Sequence, residues 1–362
     1  MSKLFEPIKI REETIRNRAW VSPMCQYSSE DGFSNNWHMV HLGSRAVGGA
    51  GLVMTEAAAV EPEGRISPWD LGIWKDEHIS GLKEITDFII SQGSTPAIQI
   101  AHAGRKASTK RPWQGRGKIL SEDGGWVPKG PSAIAFDEES QVPEEISNDE
   151  VKNIINKFVL GAQRSVEAGF QCIELHLAHG YLAHEFFSPI SNTREDEYGG
   201  NFDNRTIFGV EIAKEIRKVI GENIPLIARL SVTEYHDDGW DIESSVKLSK
   251  KLKDVGVDMI DCSSGGNYSD QKIELAPGYQ VPLSKNIKEK AEILTGTVGL
   301  ITEKKHAEEI LAKGEADVIF LGRELLRNPY WSLYAEGQIE KWPVQYQRSF
   351  EGSNKINYIR EN

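Results

Sequence analysis

Eight short runs rich in Val, Ile and Leu alternate with longer amphipathic segments, and this rhythm constrains the fold more than any single motif does. The runs fall at Ala19–Pro23, Gly51–Ala58, Pro96–Ala101, Gln171–His176, Pro225–Ser231, Met259–Ser263, Thr297–Ile301 and Val318–Leu321. Near-continuous apolar runs of this length predict strands buried on both faces, as parallel strands are. Helical periodicity fills the intervals at His38–Val47, Glu77–Ser91, Asn148–Ala168, Arg205–Ile220, Ile242–Val255, Lys285–Leu294 and Glu303–Lys313. Asn148-Asp149-Glu150 puts acidic groups at the positive end of a helix dipole. Gly169, Gly221, Gly256 and Gly314 each follow a helical run, where a terminating glycine belongs. Eight such units in 362 residues predict the α/β class and a single (β/α)8 TIM barrel. A doubly wound sheet also alternates, but no GxGxxG follows the first strand, so a Rossmann domain is unsupported.

Residues 107–147 interrupt the rhythm with Trp113, Gly115, Gly117, Gly124, Gly125, Trp126, Pro128, Pro131 and Pro143. This long loop after the third strand lies on the face where barrels place substrate-covering loops. A lid and a solvated insertion are both open readings. The barrel is expected to span 1–350, with 351–362 as a polar C-terminal tail. The net charge of −12 argues against a nucleic-acid footprint. Cys25, Cys172 and Cys262 are scattered without a CxxC, which indicates neither a disulfide framework nor a metal cluster. No apolar run approaches the ~20 residues needed to cross a bilayer, so a cytoplasmic protein without membrane contact is expected.

In a barrel the carboxyl ends of all strands share one mouth. The fourth run delivers His176, His179 and Tyr181 there. Two imidazoles and a phenol suit holding a carbonyl oxygen and delivering a proton beside it. The spacing of the histidines also suits a metal, but no third ligand of the HExxH kind is near, and no metal is expected. Ordinary core histidines are the other reading of that stretch alone. The first run ends in Ser22-Pro23-Met24-Cys25-Gln26-Tyr27, and Glu56, Gln99, His102, Arg105, Lys106 and Arg229 end others. Gly299, Gly322 and Arg323 fall after the seventh and eighth runs, where barrels often bind phosphate. A phosphorylated cofactor with a polar ring above the core fits this set, and flavin mononucleotide (FMN) is such a cofactor. Arg229 would stabilise the negative charge of a reduced flavin, and Gln99 would bond the ring's pyrimidine edge. Each also has a structural reading, Arg229 in an ion pair and Gln99 satisfying backbone groups.

At this point the chain resembles the Old Yellow Enzyme family of flavin-dependent ene-reductases, in particular its thermophilic-like branch. The motifs are SPMCQY at 22–27, IQIAHAGRKA at 98–107, PSAIAF at 131–136, IELHLAHGYLAHEFFSPISNTREDEYGG at 173–200, NR at 204–205, ARLS at 228–231, VGLIT and LGRELLRNP. They cover about residues 3 to 350. The resemblance implies that Ser22, Pro23, Met24 and Cys25 line one side of the flavin and that Ala57, Gln99 and Arg229 contact its ring. Gly322 and Arg323, with Gly299 nearby, would take its phosphate. His176 and His179 would hold the carbonyl oxygen of an electrophilic alkene while hydride passes from flavin N5 to the β-carbon. Tyr181 would protonate the α-carbon, and Tyr27 would line the substrate pocket. NADPH or NADH would reduce the flavin in the same place. Cys25 would adjust redox potential, and a buried small hydrophobe is its plain alternative. Arg348 would reach a neighbouring subunit's site in a homodimer or homotetramer. The 107–130 insertion is longer than in the shortest family members, and the chain continues past Phe350. An FMN barrel with a different acceptor and a non-catalytic phosphate-ligand binding protein are the competing readings.

Overall fold

The computed structural model describes residues 2–115 and 117–350, so the tail expected at 351–362 lies outside the described residues. Eight strands form the centre: β1 (Ala19–Val21), β2 (Leu52–Ala59), β3 (Thr95–Ala101), β4 (Cys172–Leu177), β5 (Leu226–Ser231), β6 (Met259–Ser263), β7 (Leu294–Thr297) and β8 (Val318–Leu321). Each pairs in parallel with the next, and β8 closes on β1 with Ile319 opposite Ala19. Seven helices cover the outside: α1 (Asn36–Val47), α2 (His78–Ser91), α3 (Asn148–Glu167), α4 (Phe202–Ile220), α5 (Ile242–Asp254), α6 (Val281–Ala291) and α7 (Lys304–Ala312). The short helices Arg323–Arg327 and Trp331–Glu336 follow β8. The expected closed (β/α)8 barrel is therefore what the chain forms.

Local chemistry sets the element ends. Ser147, Asn201 and Asp241 each accept a backbone N–H in the first turn of α3, α4 and α5. Such a cap satisfies one of the donors a helix start leaves unpaired. Gly221 ends α4 with φ +72°, a conformation that costs a Cβ-bearing residue more. Among boundaries that shift by a few residues, two differ most from expectation. Strand β7 ends at Thr297 and does not run on to Ile301, because Gly299 (φ +129°) and Leu300 (φ +53°) turn the chain away. Helix α6 begins at Val281, four residues before the expected Lys285, with Pro282 in its first turn, where a missing N–H costs nothing.

Inward and outward side chains alternate along each strand. Ile173, Ala228 and Ile260 face out into the core shared with the helices. Cys172, Ile227 and Met259 face in and pack with Trp20, Met54 and Phe320. A hairpin, Ile8–Ile10 with Glu13–Ile15, adds Ile8, Ile10 and Ile15 to that interior cluster and so covers the amino-terminal end of the barrel. Above this floor the inward positions become polar: Gln99, Glu174, Arg229 and Asp261, then His176, Ser231 and Ser263. The long loop is folded. Ser108 Oγ donates to the Ile119 carbonyl at 2.7 Å and accepts from the Trp126 N–H at 2.9 Å. Arg194 holds its far end through the Pro131 carbonyl (3.1 Å) and Asn148 Oδ1 (2.7 Å).

Candidate active site

The segment after β4 is clamped from three sides. The His179 N–H donates to Ser231 Oγ at the end of β5 (2.9 Å), and His179 Nε2 lies 2.6 Å from Ser263 Oγ at the end of β6. Lys106 Nζ donates to the carbonyls of His179 and Gly266, both at 2.9 Å. Gly266 (φ +95°) permits this closeness, since a Cβ there would stand 2.5 Å from His179 Cα. His179 itself adopts φ +61°, unusual for a residue with a side chain and sustained by these contacts. The result brings three rings together. His176 meets His179 edge to face at 5.1 Å between centroids, and Tyr181 at 4.9 Å. His176 is buried, and its Nδ1 has no hydrogen-bond partner among the described residues.

Electrostatics fixes the protonation of this trio. Burial, then the Arg229 charge, holds both imidazoles well below the usual histidine range, so both are neutral hydrogen-bonding groups. Burial, with Cys25 and Asp70 nearby, pushes the Tyr181 phenol up, so it keeps its proton. The Lys106 ammonium lies 5.2 Å from the centre of the Tyr181 ring, a cation–π distance. Burial, then Arg105, brings Lys106 down to about 8.

Two cavities open at the mouth. One, of about 320 Å³, is lined by Met24, Arg229, Gly299, Gly322 and Arg323 of the expected cofactor positions, and also by Ser263, Tyr279 and Gln280. Arg327 lines it as well, so three arginines, Arg229, Arg323 and Arg327, border one space. Arg229 lies 3.2 Å from Asp261 Oδ2 and 3.2 Å from Ser22 Oγ, so it is both ion-paired and open to the cavity. Gly322 has no atom within 3.8 Å of where a Cβ would be, and the Gly299–Leu300 turn bends backbone around the same space. This donor set fits a phosphate at the β7 and β8 ends and an anionic ring over Arg229. The second cavity, about 480 Å³, is lined by Tyr27, Lys106 and Phe136 and walled by the long loop at Lys110, Gly115, Gly117 and Lys118.

The other expected positions lie around these spaces. Cys25 is half-buried beside Ala57 and Tyr27, and burial pushes its thiol well up, so it is not a thiolate nucleophile. Ala57 shares a small void with Tyr181. Pro23 is half-buried between Ser22 and Met24. Gln99 is buried, and its Nε2 donates to Glu174 Oε1 at 2.8 Å, a partner that the sequence did not suggest. Arg348 is exposed beside Trp342 and Tyr346 and lines neither cavity of its own subunit. Among the described residues no group of three or more His, Cys, Asp or Glu is arranged to hold a metal. Sequence reading gave no role to Gln280, whose Nε2 donates to the Val298 carbonyl at 2.8 Å and fixes the turn before Gly299. The Pro282 that starts its helix was the available signal.

Residues 3–341 match the family described as NADH:flavin oxidoreductase / NADH oxidase. The chain belongs to this family, the flavin oxidoreductases of the Old Yellow Enzyme type. It is 48% identical to an NADPH dehydrogenase of Bacillus subtilis (strain 168) over 96% of this chain and 99% of that one. An NADPH dehydrogenase of Geobacillus sp. (strain WCH70) is 46% identical over 96% and 98%. The solved Old Yellow Enzyme homologue of Zymomonas mobilis is 24% identical over 94% of this chain and 96% of that one, with a TM-score of 0.76, a likeness of fold. The protein is accordingly an oxidoreductase that uses FMN and a nicotinamide dinucleotide, and the non-catalytic binding reading falls. No described helix is long and apolar enough to cross a membrane.

Proposed function

We propose that this flavin oxidoreductase reduces the activated C=C bond of α,β-unsaturated carbonyl compounds and related maleimides and nitroalkenes, in the cytoplasm and as a homodimer or homotetramer. The observation that carries the reading is the ring trio, in which His176 Nδ1 is buried and unpaired beside His179 and the phenol of Tyr181. An unpaired buried nitrogen costs free energy unless a ligand atom satisfies it. A substrate carbonyl oxygen is such an atom, and its charge grows as the alkene is reduced, which neutral donors then stabilise. FMN, when bound in the Arg229 and Arg323 cavity, supplies the hydride. His176 and His179 orient the oxygen, Tyr181 places a proton on the α-carbon, and Tyr27 with the long loop closes the side of the pocket. Arg348 completes the pocket of a neighbouring subunit. NADPH is the donor, in keeping with the names of the two dehydrogenase relatives.

The test is an anaerobic absorbance titration of the purified protein. Bleaching of the flavin band by NADPH and its return on adding 2-cyclohexenone are expected. A bleached band that returns only with oxygen rejects the alkene substrate while leaving the family assignment untouched.

A further inference from the structure

One level below His176 the barrel interior carries charge that the reaction described above does not use. Glu174 on β4 stands beside Gln99 on β3, and Asp261 on β6 stands beside Arg229 on β5. Gln99 Nε2 donates to Glu174 Oε1 at 2.8 Å, and Arg229 Nε lies 3.2 Å from Asp261 Oδ2. Both carboxyl groups are fully buried. Glu174 Oε2 and both Asp261 oxygens accept no hydrogen bond among the described residues. One guanidinium therefore serves two buried carboxyls, and ionising both would leave an uncompensated buried charge.

Burial, then Asp261, raises Glu174 against Arg229 and Gln99, and burial raises Asp261 against Arg229. The neighbours along β4 are Cys172 below, a neutral thiol, and His176 above, a neutral imidazole. The single Arg229 charge is balanced when one of the two carboxyls carries a proton and the other is ionised. Arg229 links the pair to the mouth, because its side chain lines the cofactor cavity. Negative charge appearing in that cavity draws on Arg229 and strengthens the pair's hold on protons.

We propose that Glu174 and Asp261 are a buried proton-accepting pair beneath the flavin, binding one solvent proton when the cofactor gains negative charge on reduction and releasing it on reoxidation. The inference rests on the placement of FMN over Arg229 in the reading above. The balance is simple. Hydride brings two electrons and one hydrogen nucleus and leaves the cofactor one unit more negative. The remaining carboxylate of the pair becomes a carboxylic acid with a proton from solvent. When the electron pair leaves as hydride to the alkene, that acid gives its proton back. Glu174 and Asp261 touch neither reactant and tune the potential through Arg229.

The test is the midpoint potential of the FMN-loaded enzyme, followed spectroelectrochemically from about pH 6 to about pH 9. Within that range the wild type is expected to take up one proton beyond the one carried by the hydride. Each such proton makes a tenfold change in the reduction equilibrium per pH unit, about 30 mV for a two-electron couple. Glu174→Gln is expected to lose that additional dependence. The same slope in the wild type and Glu174→Gln overturns the proposal. A reduced-minus-oxidised infrared difference spectrum of the wild type requires no variant to fold. A protonated-carboxyl stretch appearing on reduction supports the pair, and its absence overturns it. Arg229→Lys separates the two readings. An unmoved potential in that variant removes the flavin from above Arg229. A moved potential without the infrared band keeps that placement and overturns only the role of the pair.

Discussion

Replacing Tyr181 by Phe isolates the proton from the hydride. The ring would keep its edge contact with His176 (4.9 Å) and its place beneath Lys106 (5.2 Å), so packing is nearly unchanged. Folding stability should move by no more than about 0.5 kcal/mol, as for other changes that disturb no packing. The catalytic cost is different. A positioned general acid contributes roughly 10²–10⁴-fold, or about 3–5 kcal/mol at 1.36 kcal/mol per decade. Tyr181 is half-buried at the edge of the mouth, where water can replace it poorly but not negligibly, which favours the lower end. A loss of about 100-fold is therefore expected in the step that consumes the enone. Reduction by NADPH needs no proton from this side chain and should keep its rate. Because burial, Cys25 and Asp70 hold the phenol above its usual range, the wild-type alkene step should show no Tyr181 deprotonation below about pH 10. Anaerobic stopped-flow spectroscopy of the two half-reactions, flavin bleaching by NADPH and recovery with 2-cyclohexenone, measures both. Equal losses in the two, or no loss in either, would refute the assignment of the proton to Tyr181.

Three further perturbations probe the rest of the site and its support. His176→Ala should weaken binding of p-hydroxybenzaldehyde, read from its charge-transfer band, by roughly 10- to 150-fold, the worth of one hydrogen bond to a phenolate at about 1.5–3 kcal/mol; an unchanged titration counts against an oxyanion role. Arg348→Ala should raise KM for the enone with little change in kcat, and an unchanged KM in a correctly assembled oligomer dismisses the bridging arginine. Glu61, whose carboxylate meets His102 Nε2 (2.7 Å), Lys129 Nζ (3.2 Å) and Lys157 Nζ, supports the β3 end. Burial pushes that carboxyl up, but His102, Lys157 and Lys129 more than offset it and hold it well below the usual range. A depressed carboxyl stabilises the fold above its ordinary value near 4.5 and loses that contribution as pH falls toward its folded value. Glu61→Gln should cost about 3–5 kcal/mol at neutral pH. The gap from wild type in urea unfolding should narrow below pH 4.5, and a constant gap would argue that the network carries no net stabilisation.

The barrel was legible because eight runs of period-independent apolar residues need cover on both faces, and only a few folds give it. Where reading failed, the residues involved act through backbone shape. Thr297–Ile301 looks like a strand by composition, yet Gly299 and Leu300 carry positive φ and spend that stretch on a turn. The hairpin Ile8–Ile10 with Glu13–Ile15 is too short for periodicity to mark, and it exists because the open floor of the barrel needs apolar cover. At the site, His176, His179 and Tyr181 were visible as a dense run of polar rings just past a strand. Lys106 was visible only as a cation at the mouth, since its hold on the His179 carbonyl joins residues far apart in sequence. The motif TREDEYGG explains itself only in three dimensions, where Arg194 ties the end of the long loop to the start of α3.

Under the proposed function, the inward residues of β4, β5 and β6 would let one rigid scaffold handle electrons and protons together. Reading up from the floor they are Cys172, Ile227 and Met259, then Glu174, Arg229 and Asp261, then His176, Ser231 and Ser263. Strand pleat produces this order along each strand, since every second residue turns inward; across strands Arg229 pairs with Asp261 on one side and with His176 on the other. In a one-dimensional reading the charged level is hidden, because Glu174 sits between Ile173 and Leu175, and Asp261 between Ile260 and Cys262. Three successive levels are thereby held at fixed separation by backbone hydrogen bonds, with no loop involved. The long loop lies outside that column and walls the cavity lined by Tyr27, Lys106 and Phe136. Under the proposed function, substrate range would drift through loop residues such as Phe136 and Lys118 without disturbing the groups assigned to charge and proton delivery. Changes on the inward column cannot be so confined, because each alters the field at the levels above and below it.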